Sequence, residues 1–250
     1  MTTEDKIDVA KLAAASRREY AGDSLTLAAS PAEPFSLFVK WLEAAIQHAD
    51  IRDGNAMCLS TVDKGGLPHS RMVLLKDVEY GEEDYMGAQG KPPQDNLQDN
   101  REGFVFYTNY DSAKGADIAE NPAIALNFWW PPMHRQVRIE GRASKLSPEK
   151  SKKYFDTRDR ASRLGAWASP QSNQIHDYDE LISGFKKMEE KFDGKEVPLP
   201  PHWGGYIVNP TQVEFWQGSR SRLHMRIIYS RSALGDSKDT HAWDKRMLAP

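Results

Sequence analysis

Polar and alanine-rich positions fill the first 30 residues, and the pattern changes at Pro34, where Phe35, Phe38, Val39, Leu42 and Ile46 recur at helical spacing with Trp41 beside them. This period paints one apolar stripe on a helix, expected to end near Asp50 and to pack on a sheet. Residues 1–30 carry no such stripe and read as an arm with a short helical piece over 9–20. Beyond Asp50 the period shortens. Residues 56–62 and 69–75, around the turn Asp63-Lys64-Gly65-Gly66, predict a β-hairpin. Residues 103–108, 123–130, 136–146 and 203–216 are rich in aromatic and branched side chains and predict further strands, with 226–229 the last. Helices are expected at 113–120, stopped by Asn121-Pro122, at 148–158 and at 179–192. Residues 79–102 hold Gly81, Gly87, Gly90, Pro92 and Pro93 among acids and amides and read as a long exposed loop, and 232–240 look similar. Short, regularly spaced strands with few helices predict a fold that is mainly β with peripheral helices, a β-barrel formed by residues 31–250 as one domain.

Composition narrows the function without naming it. The 250 residues, 39% of them hydrophobic, suffice for a large core. Lys and Arg total 33 against 36 acids, a net charge of -3, so no general field draws the chain to nucleic acid or an anionic membrane. Any phosphate site must be a local cluster of cations. Cys58 is the single cysteine, which excludes an internal disulfide and a thiolate zinc site. Its apolar surroundings, Ala56-Met57-Cys58-Leu59, predict a small buried hydrophobe rather than a nucleophile. The seven histidines show no metal-ligand spacing, and no metal is expected. Without a stretch long and apolar enough for a membrane span, and with a polar N-terminus, the expected compartment is the cytoplasm.

Three segments offer chemistry. Alternation in 71–76 sends Arg71, Val73 and Leu75 to one face and Met72, Leu74 and Lys76 to the other, placing a cation at each end. Gln136-Val137-Arg138 follows the aromatic string Phe128-Trp129-Trp130, which by itself is more often packing than a cofactor platform. Glu214-Phe215-Trp216-Gln217-Gly218 precedes Arg220, Arg222, His224 and Arg226, a compact set suited to anions because guanidinium forks match phosphate oxygens. A solvated basic turn explains that last set about as well.

Read together, these segments resemble the pyridoxamine/pyridoxine 5'-phosphate oxidase family, in register from about Arg17 to Pro250. The resemblance rests on Arg17-Arg18-Glu19-Tyr20, Asn55-Ala56-Met57, Arg71 to Lys76, Phe106-Tyr107-Thr108-Asn109, Arg135-Gln136-Val137-Arg138, Tyr154-Phe155, Arg158 and Gly165-Ala166-Trp167. It continues through Gln171-Ser172, Trp203-Gly204-Gly205-Tyr206, Glu214 to Gly218, Arg222-Leu223-His224 and the terminal Leu248-Ala249-Pro250. It implies an FMN-binding split β-barrel that forms a homodimer with FMN at the interface. It also implies oxidation of pyridoxamine 5'-phosphate and pyridoxine 5'-phosphate by O2 to pyridoxal 5'-phosphate and hydrogen peroxide. The implied FMN contacts are Arg71, Met72, Val73, Leu74, Tyr107, Thr108, Lys114, Gln136, Gln171, Ser172, Trp216 and Arg226. The implied substrate contacts are Lys76, Tyr154, Arg158 and Ser162 around the phosphate, with Arg222 and His224 at the reacting ring as catalytic residues and Arg17 and Tyr20 closing over it from the arm.

Two departures set expectations of their own. Ala113 stands where the family usually has an arginine, which predicts one fewer phosphate contact. Met225 stands where an aspartate is usual, which predicts a disturbance of His224 and Arg226. They keep open a second class of reading: a split-barrel flavin-binding homologue with weak or no B6 oxidase activity, or an inactive one that retains the dimer for interaction.

Overall fold

The computed structural model describes residue 20 and residues 24–80, 102–231 and 243–250. Arg17, most of the helical piece expected at 9–20, the interior of the 79–102 loop and the 232–240 tail lie outside the described residues. The described elements run α1 (Pro34–Gln47), β1 (Ala56–Val62), β2 (Pro68–Leu74), β3 (Asp77–Glu79), β4 (Gly103–Asn109), α2 (Ala113–Glu120), β5 (Ala123–Trp130), β6 (Arg135–Lys145), α3 (Pro148–Thr157), α4 (Arg160–Ala168), α5 (Tyr178–Lys191), β7 (Trp203–Gln217), β8 (Met225–Arg231) and β9 (Trp243–Leu248).

The nine strands form one antiparallel sheet in the order β2-β1-β5-β6-β7-β4-β3, with β8 joined to β7 and β9 to β8. Its course is set by the 15-residue β7. Along one edge β7 pairs with β6, while along the other it pairs first with β4, over Trp203 to Val208, and then with β8, over Gln212 to Gln217. Pro210 lies at the changeover, where its lack of an N–H costs no ladder bond. A register shift at Glu140/Gly141 faces it from β6, and a Cβ on Gly141 would collide with the Asn209 carbonyl. Glycine is therefore required for the close approach that bends the sheet there.

The apolar stripe of α1 fills the concavity. Phe35, Phe38, Trp41 and Ala45 are buried, Phe38 meets Phe104 and Phe128 edge-on at 4.9 and 5.0 Å, and Trp41 meets Phe215 at 5.2 Å. Truncating a buried ring of this kind to alanine costs about 3–5 kcal/mol. A second apolar cluster, Phe155, Leu164, Phe192, Val197 and Trp203, ties α3 to α5 onto the start of β7.

Several expectations need correction. The first helix ends at Gln47, short of Asp50. The strand at 226–229 extends over Met225–Arg231 and is not the last, because β9 pairs with it through Trp243–Leu248; the charged Asp244, Lys245 and Arg246 hide the alternation of β9. Glu79 belongs to β3 rather than to a loop. α4 was not expected: it spans nine residues and buries only Leu164, too little for a period to show, and it starts because Asp159 accepts the Ser162 N–H at 2.8 Å. Cys58 is half-buried, not buried. Met57, Leu59 and Thr61 take the core side of β1, so alternation leaves Cys58 on the outer face.

Candidate active site

β2, β4, α2 and the α3–α4 segment enclose a cavity of about 810 Å³. Arg71, Met72, Val73 and Leu74 line it from β2, with Lys76 just beyond, and Tyr107 and Thr108 line it from β4. Lys114 enters from α2, Tyr154 and Arg158 from α3 and its end, Ser162 from α4, and Gln171 from the loop that follows. Sequence analysis proposed every one of these residues. The fold brings them together across a hundred residues of chain.

Within the cavity the cations Arg71, Lys114 and Arg158 fall into two groups, one held by hydrogen bonds and one by stacked rings. In the first, Arg71 Nη1 donates to Thr61 Oγ1 at 2.6 Å, Thr61 donates to Asp117 Oδ2 at 2.6 Å, and Arg71 Nη2 lies 3.7 Å from the same carboxylate. Asp117 is buried on α2 and went unnoticed in the sequence, since an acid inside a helix ordinarily faces water. Beside this group, Lys114 Nζ donates to Gln171 Oε1 at 2.9 Å, Thr108 Oγ1 at 3.2 Å and Ser112 Oγ at 3.3 Å. Its acceptors are all neutral. Burial, and then the charge of Arg71, hold the Lys114 pKa below the usual lysine range, so an anion placed here would relieve both penalties.

The second group is built on stacked rings. Tyr107 and Tyr154 stack with centroids 3.9 Å apart, Trp203 continues the stack 5.4 Å from Tyr107, and the Arg158 guanidinium lies 4.7 Å above Trp203. Burial, followed by the charge of Asp77, pushes the Tyr107 phenol up to about 12, so it stays protonated. Arg158 Nη1 is buried without a hydrogen-bond partner among the described residues, and burial lowers the arginine's pKa. Ser162 differs from a simple phosphate donor: its hydroxyl already donates to Asp159 Oδ2 at 2.6 Å. Asp159, which also lines the cavity, was not foreseen; its place three residues before Ser162 is the capping signal that could have revealed it.

The remaining expected residues lie elsewhere. Gln136 and Trp216 line a second cavity of about 500 Å³ with Tyr20, Asn127 and Trp129, and the two cavities share no lining residue. Trp129, Gln136, Trp216 and Arg226 occupy opposed register positions on β5, β6, β7 and β8, so the row lies on one face of the sheet. Of the string Phe128-Trp129-Trp130, the outer two rings pack in the core while Trp129 is 42% exposed. His224 stands 4.6 Å from Trp216, and Tyr20 meets Trp216, His224 and His134 edge-on at 5.7, 5.5 and 4.8 Å. A Cβ on Gly218 would come within 2.9 Å of the Tyr20 ring. His224 Nδ1 accepts the Ser219 N–H at 3.2 Å, so the neutral ring carries its proton on Nε2. Burial, then Arg222, lower its pKa. Ser221 and Arg222 both adopt positive φ, 56° and 60°, which marks a strained turn.

Arg226 is largely committed within the chain. It forms a two-pronged pair with Glu214, Nε to Oε1 at 2.9 Å and Nη2 to Oε2 at 3.1 Å, and Nη1 donates to the Ala249 carbonyl at 2.9 Å. Met225 therefore leaves Arg226 with a carboxylate partner; its own sulfur accepts the Leu25 N–H at 3.3 Å. Ser172, at φ 71°, is exposed and lines neither cavity.

Residues 42–191 match the model of the pyridoxamine 5'-phosphate oxidase family, and residues 203–250 that of the pyridoxine 5'-phosphate oxidase C-terminal dimerisation region. A pyridoxine/pyridoxamine 5'-phosphate oxidase of Chromohalobacter salexigens is 44% identical over 234 residues, covering 94% of this chain and 96% of its own. One from Pseudomonas fluorescens is 46% identical over 215 residues, covering 85% and 90%. The chain belongs to the pyridoxine/pyridoxamine 5'-phosphate oxidase family.

Its family relatives are oxidoreductases, and the fold is shared with solved structures. PhzG from Burkholderia lata, in complex with tetrahydrophenazine-1-carboxylic acid, superposes with a TM-score of 0.74 at 26% identity, covering 92% of this chain and 99% of its own. A pyridoxamine 5'-phosphate oxidase-related, FMN binding protein from Nostoc punctiforme gives 0.64 at 16% identity, covering 88% and 99%. The curled antiparallel sheet with peripheral helices is thus the split barrel of this family, and the β7–β9 region coincides with its dimerisation segment.

Proposed function

We propose that this oxidase family member converts pyridoxamine 5'-phosphate and pyridoxine 5'-phosphate to pyridoxal 5'-phosphate, with FMN as cofactor, O2 as final acceptor and hydrogen peroxide as coproduct, the amine also releasing ammonia. The observation that carries this reading is the set of four cations that line one cavity, Arg71 beside Lys114, and with them Lys76 and Arg158. Two phosphate monoesters, one on the cofactor and one on the substrate, match that demand better than one anion does. The buried Nη1 of Arg158, without a hydrogen-bond partner among the described residues, is the clearest sign that an external oxygen completes the site.

FMN fits the residues present: Arg71, Lys114, Thr108 and Gln171 form a donor set for its phosphate, and Gln136, Trp216 and the neighbouring apolar surface suit a flavin ring. When bound it supplies the two-electron acceptor that no side chain provides. Lys76, Arg158 and Tyr154 hold the substrate phosphate, and Ser162 joins them when its hydroxyl proton turns from Asp159 to a phosphate oxygen. His224, neutral and protonated on Nε2, and Arg222 orient the amine or alcohol and set its protonation. Since the two cavities share no wall, the reading places Lys76 and Arg158 of one subunit opposite Arg222 and His224 of its homodimer partner. Arg17 and Tyr20 cover the site from the arm of residues 1–30, and residues 31–250 act as one domain. Ser172 and Arg226 complete the cofactor's surroundings in this scheme.

The likeness to PhzG, a protein with a different bound molecule, motivates a second reading as a flavin-binding relative with weak or no B6 oxidase activity. Purified protein is expected to show a flavin spectrum and, with pyridoxamine 5'-phosphate in air, to release aldehyde and peroxide in equal amounts. Bound flavin without turnover at saturating FMN would support the second reading instead.

A further inference from the structure

Asn127 attracts no notice in the sequence, yet the fold puts it where an unsatisfied polar group has consequences. It lies on β5, opposite Cys58 of β1 on one side and Arg138 of β6 on the other, and it lines the second cavity beside Gln136, Trp129 and Trp216. Its Oδ1 is buried and has no hydrogen-bond partner among the described residues. The cation across from it is engaged already, since Arg138 donates to Glu140 at 2.9 Å and to Glu214 at 3.4 Å. A buried amide oxygen without a donor is uncommon because it forfeits its hydration with nothing in return. In a cavity walled by two tryptophans, the missing donor belongs to a flat ring with a polar edge.

We infer that Asn127 is a cofactor contact, accepting a hydrogen bond from the N3–H of the flavin ring. This rests on the FMN reading above and assigns a residue to it. The oxidised flavin ring has one N–H on its polar edge, at N3, flanked by two carbonyl oxygens. A side-chain amide presents the complement, one acceptor and an NH2 donor for the neighbouring carbonyl. Gln136, lining the same cavity, supplies a second amide, so the edge is read by a pair rather than by one side chain.

The test is flavin affinity, read by fluorescence quenching on the full chain freed of cofactor, with FMN and with 3-methyl-FMN, which lacks the N3 proton. The wild-type chain is expected to bind FMN about tenfold more tightly than the methylated analogue, the size of one neutral hydrogen bond. Asn127→Leu should weaken FMN about tenfold and bind both flavins alike. Asn127→Ala, a smaller change, guards against misfolding, because the ratio between the two flavins is independent of the folded fraction. Variants that bind FMN as the wild type does, or that keep the full preference over 3-methyl-FMN, would overturn the role of Asn127 and leave the FMN reading standing. A wild-type chain that binds neither flavin would overturn both.

Discussion

The two cavities differ in what they lack. The larger one is rich in cations held in place by the chain's own acceptors, with Thr61 and Asp117 behind Arg71, Gln171 and Thr108 beside Lys114, and Trp203 beneath Arg158. Four cations line it against one carboxylate, Asp159, so it is short of negative charge. The smaller one holds tryptophan faces and amides, with His224 beside its Trp216 and Tyr20 and no anchoring cation among its lining residues. One can grip phosphate and the other can present a surface to a ring, yet neither alone positions a reacting carbon against a cofactor. Exposed apolar side chains on both point the same way: Met72 and Leu74 of the larger cavity and Trp129 of the smaller are exposed at 66, 41 and 42%, surface suited to the partner subunit that the dimerisation segment implies.

Mixing two damaged chains tests that division most directly. Arg158→Ala and His224→Ala homodimers should each lose about 100-fold or more in kcat/KM, because in the proposed reaction one removes a phosphate anchor and the other a group at the reacting ring. If the halves come from different subunits, co-refolded mixtures regain about a quarter of wild-type activity, since half the dimers are mixed and each of those has one intact site. Failure to regain activity would put both halves in one chain. A smaller effect is expected behind the second cavity. Glu214→Gln removes the carboxylate under Arg226 and should cost about 2 kcal/mol of stability by denaturant melts, while Met225→Asp, which leaves that pair intact, should change turnover little.

The pH response sharpens the contrast further. Burial and Arg222 disfavour the imidazolium of His224, so the folded chain binds fewer protons there than the unfolded one. Its contribution to stability is complete above the ordinary histidine range and is lost as pH falls through that range. The acid arm of kcat/KM should accordingly lie below it, and Arg222→Gln should move the His224 titration upward by NMR; an unmoved titration would remove Arg222 as a cause. The smallest effect concerns Asp159. Asp159→Asn keeps the helix cap and removes an anion from the phosphate cavity, so KM for the phosphorylated substrate should fall about threefold, a screened charge interaction.

Much of this architecture was legible in the chain. The stripe of α1, the hairpin of β1 and β2, and the bounds of α2 and β5 follow from local period and punctuation, because each buries a face that recurs every two or three to four residues. The family resemblance likewise named all four cations that line the first cavity, Arg71, Lys76, Lys114 and Arg158. What the chain alone could not show depends on partners distant in sequence. α4 and β9 were missed because one is held by a single buried leucine and the other by pairing with β8. Asp117, Asp159 and Asn127 look like ordinary polar residues until the fold sets Arg71, Ser162 and a cavity beside them. Local sequence determined which faces are apolar and where the chain turns, since those depend on neighbours a few residues away. Tertiary structure decided which polar groups are left wanting a partner, because burial and hydrogen bonding are properties of packing, and it divided the proposed site into two halves.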